Sequence, residues 1–191
     1  GIELAGGVFA PLIPRNSSIP TTARRKFTTV RDNQASVRIH VLQGERRVAA
    51  ENRSLAHFRL EGILPAPREV PEIEVGFTID ANGILHVSAM DLTTGQMQEV
   101  CVESYQPAVD DDVERQISDA ERFANEDRIF LRKVSIRRRM QQMQDELAAY
   151  QAEHLDGGLT EKQEQLLRQA MFRLDAALTG IVKSLQSRLY F

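Results

Sequence analysis

The sequence is poor in cysteine and aromatic residues and has no tryptophan. Its 191 residues include one cysteine and 6% aromatic residues. Because Cys101 has no second cysteine to pair with, internal disulfides and cysteine-rich zinc sites are excluded, and a reducing compartment is favoured. The sequence also lacks a run of about 20 apolar residues, the length that a membrane-spanning helix needs. A spanning segment is therefore not predicted.

The sequence has no strong excess of charge of either sign. The 24 Lys+Arg and 27 Asp+Glu give 24 − 27 = −3, and 42% of the residues are hydrophobic. This composition is ordinary for a globular protein large enough to bury a core. The first ten residues, GIELAGGVFA, lack the basic start and the long apolar run of a signal peptide. They are typical of the interior of a sequence, so we expect the chain to be part of a longer protein.

Glycine and proline are concentrated in the first part of the chain. Eight of the 11 glycines and six of the 7 prolines lie before residue 106. Turns are therefore dense in the first part and rare in the second. This pattern predicts an α+β protein, with an antiparallel β-sandwich at residues 1–105 and an α-helical domain at residues 106–191.

Alternating side chains predict the strands. An apolar side chain recurs at every second position, as in half-buried strands, at residues 37–41, 73–79, 85–89 and 100–102. Asn82 and Gly83 can supply the positive φ angles of a tight hairpin. Asp91–Gly95 is predicted to form the next reversal. Short strands at this spacing indicate an antiparallel sandwich.

Helical spacing of apolar residues begins near residue 110. Carboxylates crowd residues 110–114, as expected at a helix N-terminus, and no proline or glycine follows before Gly157 and Gly158. We therefore predict one helix of about 45 residues, roughly 65 Å long. Thr160 and Gln163 resemble the capping box of a second, amphipathic helix. The apolar stripe of this second helix, which indicates a partner helix, consists of Leu167, Met171, Leu174, Leu178, Ile181 and Leu185.

Catalytic and metal chemistry have little support in the sequence. The histidines at positions 40, 57, 86 and 154 lack metal-ligand spacing, so we interpret them as surface or half-buried side chains. Cys101 lies in an alternating segment and is interpreted as a packed, inert thiol. The Gly6–Gly7 pair is interpreted as a bend or bulge. A phosphate-binding loop, a dinucleotide fingerprint and a nucleophile elbow are all absent from the sequence, so these motifs predict neither catalysis nor a metal site.

The predicted long helix changes charge along its length. Residues 110–127 contain eight acids and two arginines, whereas residues 128–139 contain six basic residues and no acid. A basic run can bind nucleic acid. The net acidic charge and the lack of interleaved aromatic residues instead favour a solvated helix face, or a surface that meets acidic groups of the sandwich.

Several long motifs resemble the seventy-kilodalton heat-shock chaperones of the bacterial DnaK type. The motifs are LIPRNSSIPT at Leu12–Thr21, VRDNQASVRIHVLQGER at Val30–Arg46, ENRSLAHFRLEGILPAPR at Glu51–Arg68 and PEIEVGFTIDANGILHVSAMD at Pro71–Asp91. The similarity is nearly free of gaps from Gly1 to about Val102. Beyond residue 109 it is confined to the acidic helix start and to Glu121–Arg128.

The resemblance implies the C-terminal substrate-binding region of this family, in which a β-sandwich grips an extended apolar peptide and a helical lid covers it. The pocket positions match Ile2, Phe27, Val37, Ile39 and Ile73. Positions that contact the peptide backbone match Leu4, Thr28 and Gln34, and the two residues that arch over the peptide match Ala5 and Val30. In the family the first arch residue is a methionine and the second an alanine. Here the smaller residue, Ala5, comes first and the larger one, Val30, comes second. Without the resemblance, Val37, Ile39 and Ile73 would be interpreted as ordinary core.

The resemblance also implies a latch between lid and sandwich, and here the sequence departs from the family pattern. The loop positions match Asp32 and Arg68. Their lid partners, an acid and a histidine in the family, align with Gln141 and Asp145. A substitute pair between Asp145 and Arg68 is therefore predicted, and the basic run offers partners for Asp32.

The function implied by the resemblance is that of a molecular chaperone that holds extended apolar segments of unfolded proteins. The family's ATPase domain, which is not in this chain, would regulate it, so we expect this chain to be no enzyme and to hold no cofactor, with ATP bound in the full-length protein. A J-domain co-chaperone and a nucleotide-exchange factor would be its partners. A cytoplasmic location is expected, without membrane or nucleic-acid partners. The alternative is a scaffold in which the sandwich and helix dock one dedicated protein.

Overall fold

The computed structural model describes residues 1–102, 110–154 and 160–186, which form eight strands followed by three helices. The strands are β1 (Ile2–Leu4), β2 (Val8–Ala10), β3 (Thr21–Thr28), β4 (Ser36–Gln43), β5 (Arg53–Glu61), β6 (Glu72–Ile79), β7 (Leu85–Asp91) and β8 (Met97–Val102). The helices are α1 (Asp110–Arg122), α2 (Ala124–Glu153) and α3 (Glu161–Gln186). The α+β class is confirmed.

The chain divides into two compact units, Gly1–Ala124 and Asn125–Phe191. By this division α1 belongs with the strands. The predicted boundary between residues 105 and 106 falls outside the described residues and stays a prediction.

The strands form two antiparallel sheets of four strands each, as predicted for a sandwich. The strand orders are β2-β1-β4-β5 and β3-β6-β7-β8. Both sheets contribute to one apolar core, in which Val41, Val87 and Ala89 are fully buried. Burying a side chain such as valine contributes about 1.5–3 kcal/mol, so this shared core holds the two sheets together.

The alternating segments lie in strands with the expected faces. In β7 the burial pattern alternates strictly, and in β6 Ile73, Val75 and Phe77 are buried. Cys101 contradicts the prediction of a packed thiol, because it is exposed. In β8 it stands between Val100 and Val102, whose side chains belong to the core cluster, so a period of two turns the thiol outward.

The hairpin between β6 and β7 differs from the predicted tight turn. Gly83 has a φ of 82°, whereas Asn82 is not in the left-handed region. The Asp80 carboxylate instead organises a longer loop, since its Oδ1 accepts hydrogen bonds from the backbone N–H groups of Asn82 (2.8 Å) and Ile84 (2.9 Å). The bond from Ile84 is the main reason that the pKa of Asp80 is lowered.

The reversal between β7 and β8 is confirmed at Asp91–Gly95. Asp91 is buried, and its Oδ1 accepts a hydrogen bond from the N–H of Thr93 at 2.9 Å. The N–H of Gly95 bonds to the carbonyl of Asp91 at 2.8 Å, and Gly95 has a φ of 72°. The buried carboxylate therefore has a local role in the turn.

The prediction of one uninterrupted helix of about 45 residues is wrong, because the helix breaks at Phe123, between α1 and α2. The break contains neither proline nor glycine. It coincides with a contact made by the Phe123 ring, whose centroid lies 4.4 Å from the Arg46 guanidinium carbon. This tertiary contact pairs residues that are distant in sequence, which helical periodicity cannot reveal.

The second amphipathic helix is confirmed as α3. Its predicted stripe is buried or half-buried, with Leu178 and Leu185 in the core. At its start, the Gln163 Oε1 accepts hydrogen bonds from the Thr160 N–H (2.9 Å) and from the Thr160 hydroxyl (2.7 Å), which is one half of a capping box. A hydrogen bond of 2.7 Å from Lys133 Nζ to Ser184 Oγ joins α2 to α3. The Gly157–Gly158 stop lies outside the described residues.

Candidate functional site

Three of the predicted pocket residues lie in the sandwich core. Ile2 on β1, Ile39 on β4 and Ile73 on β6 are 5%, 2% and 1% exposed, and they belong to the same apolar cluster. Such burial is what the ordinary-core interpretation of Ile39 and Ile73 expects. A peptide could meet only the outermost atoms of these side chains, which would place them at the floor of the predicted pocket.

Three further predicted residues are half-buried and pack against the same apolar cluster. They are Leu4 on β1, Phe27 on β3 and Val37 on β4. Phe27 stands directly opposite Ile73 in the β3–β6 pair, so these two predicted pocket residues are neighbours. Because part of each side chain is still exposed, a ligand can reach all three.

The turn between β1 and β2 carries Ala5. Gly6 and Gly7 have φ angles of 89° and 75°, and the Gly7 N–H bonds to the Leu4 carbonyl at 3.1 Å. The interpretation of this glycine pair as a bend is confirmed. A side chain is strained at positive φ, so the pair fixes a compact turn whose tip exposes Ala5.

The loop between β3 and β4 carries the second predicted arch residue, Val30, which is exposed. The side chain of Gln34 shapes this loop. Its Oε1 accepts hydrogen bonds from the N–H groups of Val30 (3.1 Å) and Arg31 (3.2 Å), and its Nε2 donates to the Ser36 carbonyl (2.9 Å). Gln34 therefore positions Val30, a role that the sequence did not reveal. The predicted contacts of Gln34 and of the exposed Thr28 with a peptide backbone stay predictions.

A second loop, between β5 and β6, braces the first. The Asp32 Oδ1 accepts a hydrogen bond from the backbone N–H of Arg68 at 2.8 Å. The N–H of Asn33 bonds to the Ala66 carbonyl at 2.8 Å, and that of Glu69 to the Thr29 carbonyl at 3.1 Å. The two predicted latch residues of the sandwich are thus brought together, and Asp32 already has a structural role within this unit.

Thr29, whose carbonyl accepts the hydrogen bond from Glu69, is 1% exposed. Within the described part of the chain, its hydroxyl has no hydrogen-bond partner. A buried hydroxyl without a partner is unfavourable, because it has lost its bonds to water.

The predicted lid residues belong to the second unit. Asp145 on α2 is half-buried, and its Oδ1 lies 3.5 Å from Gln141 Nε2, one helical turn away. Arg137, Arg138 and Arg139 are exposed on the same helix. The predicted pair between Asp145 and Arg68 stays a prediction.

A polar cluster on the outer face of the first sheet was missed in the sequence. His40 and His57 are directly opposite in the β4–β5 pair, and their rings stack with centroids 3.8 Å apart. His40 Nδ1 lies 2.7 Å from Glu3 Oε2, and its Nε2 lies 3.0 Å from Ser54 Oγ. Cross-strand register brings these side chains together, and it is invisible until the strands are paired. In the parts of the chain that the structure describes, no group of His, Cys, Asp and Glu side chains has the arrangement of a metal site.

A shallow depression of about 240 Å³ lies between β5 and β8. Its lining is mostly polar and consists of Arg59, Leu60, Glu61, Gln96, Met97 and Gln98. It shares no residue with the predicted peptide site. An open polar depression is a poor match for an apolar peptide, so it is not the candidate site.

Comparison with known protein families decides the relationship that the motifs suggest. A family model described as Hsp70 protein matches residues 1–188. The chain belongs to the Hsp70 family. Membership supports a chaperone-related function and implies unfolded polypeptides as partners.

No helix in the described part of this Hsp70 chain has the length and apolarity needed to cross a membrane.

Proposed function

We propose that the β-sandwich of this Hsp70 chain holds extended apolar segments of unfolded polypeptides. The observation that carries the proposal is the joining of six predicted site residues in one apolar cluster. Ile2, Ile39 and Ile73 are buried members of this cluster, while half-buried Leu4, Phe27 and Val37 pack against it. A stretch of peptide that binds there can bury one or two apolar side chains and satisfy its backbone at the surrounding loops.

The two loop tips give the site its proposed entrance. Ala5 is held by the glycine turn, and Val30 is held by the hydrogen bonds to Gln34. Both tips are exposed and apolar, so they can contact a bound backbone without competing for its hydrogen bonds. By family resemblance they would arch over the peptide, with the larger side chain on the β3–β4 loop.

The rest of the proposal rests on resemblance to DnaK-type chaperones. The chain would serve as the C-terminal substrate-binding region, with the helical domain at residues 106–191 as its lid. It would have no enzymatic activity of its own and no cofactor. An ATPase domain of the full-length protein would bind ATP and regulate it, with a J-domain co-chaperone and a nucleotide-exchange factor as partners in the cytoplasm.

A peptide titration tests the proposal. Fluorescence anisotropy of a labelled leucine-rich heptapeptide should rise to saturation with the 191-residue chain and fall when an unlabelled copy competes. A control heptapeptide with serine in place of each leucine should bind at least about tenfold more weakly, since each buried leucine is worth about 1.5–3 kcal/mol. Failure of several leucine-rich peptides to bind would support the scaffold alternative instead.

A further inference from the structure

Helix α2 carries a row of exposed apolar side chains. Ile129, Ile136, Met143 and Tyr150 are 52%, 42%, 45% and 46% exposed. They are spaced by seven residues, which is nearly two helical turns, so they lie in one row along the helix. The contact of α2 with α3 at Lys133 leaves these side chains open to solvent.

The side chains beside this row change the sign of their charge halfway along. Three residues after each member of the row stand Arg132, Arg139, Glu146 and Glu153 in turn. Within the described residues, Arg132, Arg139 and Glu153 take part in no ion pair, and Glu146 accepts one hydrogen bond from Gln142 Nε2 at 3.2 Å. The charged flank is therefore available to a partner.

Along α2 these charges run positive, positive, negative, negative. A second α2 that runs in the opposite direction therefore presents a negative charge wherever the first presents a positive one. If a second α2 runs antiparallel, with Met143 of each copy at the two-fold axis, Arg139 comes level with Glu146 of the second copy to within one residue. Arg132 then faces Glu153 of the second copy. Three members of the apolar row match in the same register, since Met143 meets itself and Ile136 meets Tyr150 of the second copy. Ile129 lies outside the paired segment, because its counterpart would fall beyond the end of α2. A parallel arrangement would instead put the charged flanks of the two helices on opposite sides of the seam, where these pairs cannot form.

We propose that α2 is a dimerisation surface that pairs antiparallel with α2 of a second copy of this chain. The apolar row supplies the contact, and the four charged pairs about the axis fix its direction and register. The surface lies within the unit Asn125–Phe191 and uses none of the peptide-site residues, so the proposal does not depend on the proposed function.

Sedimentation velocity of the full chain over a range of concentrations tests the dimer. The mass should rise from 21.5 kDa toward twice that value. Arg139→Glu should weaken dimerisation about tenfold or more, because it turns two attractive pairs into repulsive ones. The double variant Arg139→Glu, Glu146→Arg reverses both members of each pair and should restore the dimer. Ala149→Glu, six residues from Met143 and on another face of the helix, is the matched control and should not change the mass.

Cross-linking tests the direction of the pairing. In a Cys101→Ser background, Met143→Cys should form a disulfide-linked dimer on mild oxidation. Ile129→Cys should not, because 14 residues on each side of the axis separate the two cysteines by about 40 Å. Circular dichroism checks that each variant is folded. A chain that stays monomeric at all concentrations, a dimer indifferent to Arg139→Glu, or equal cross-linking at both positions would overturn the proposal.

Discussion

Replacing Val37 with phenylalanine should close the candidate pocket without unfolding the sandwich. Val37 is half-buried on β4, opposite Leu60, and packs against the core. A larger side chain directed toward the pocket should occupy the space of one peptide side chain, and overpacking costs about 1–3 kcal/mol of stability. Losing the burial of one leucine-sized group costs about 1.5–3 kcal/mol of binding free energy, which corresponds to about 12- to 160-fold in Kd.

The assay is anisotropy with the labelled leucine-rich peptide, accompanied by thermal unfolding of each variant. The matched control is Arg38→Phe, which adds the same ring on the next residue of β4. Arg38 is exposed, and the pleat directs it to the opposite face of the sheet. Its affinity should be unchanged. Equal affinities for the wild type and a folded Val37→Phe variant would refute the assignment of the pocket.

Three further predictions concern the loops and the latch. Thr29→Val should raise the free energy of unfolding by about 1 kcal/mol, because it removes a buried hydroxyl without a partner; a loss of stability in urea unfolding would contradict this. Backbone N–H groups lower the pKa of Asp80 in the folded state, so its contribution is present above the unfolded pKa of about 3.9 and is lost as the pH falls through the folded pKa. Asp80→Asn should therefore reduce the fall in stability in acid, and an unchanged pH profile would count against this role. If Arg68 and Asp145 form the substitute latch, Arg68→Ala and Asp145→Ala should each speed peptide release about two- to fivefold without additivity in the double variant, and simply additive effects would exclude the pair.

Periodicity predicted the strands whose side chains alternate cleanly. Residues 73–79 and 85–89 could be assigned because one face of each strand is apolar and the other polar. Strand β3 was not predicted by its pattern, since it reads TTARRKFT and lies at a sheet edge. Its polar side chains are explained only by the neighbouring strand, where Lys26 Nζ lies 2.8 Å from Glu72 Oε2. A strand stabilised by such cross-strand partners has no signal of its own.

The residues of the candidate site could be predicted where family motifs specify them. Roles that depend on loop geometry, strand register or tertiary contacts could not be predicted. The apolar cluster could be listed by residue because long motifs match the family up to about Val102. The roles of Gln34 and Asp32 depend on loop geometry, and the break at Phe123 depends on its contact with Arg46. The stacking of His40 on His57 requires the strand register. Apart from the bond between Gln34 and Val30, which are four residues apart, these contacts join residues that are distant in sequence.

Photo-crosslinking of a bound peptide tests the central claim most directly, because it asks where the peptide lies. A leucine-rich heptapeptide with a photoreactive phenylalanine at its centre would be irradiated with the full chain, and the modified residues would be identified by mass spectrometry. Modification should concentrate at residues 2–5 and 27–39, saturate with peptide and decrease when unlabelled peptide competes. Competable modification concentrated in α2 and α3 or on the outer face at Arg38 and Arg59, or no saturable modification at all, would contradict the account.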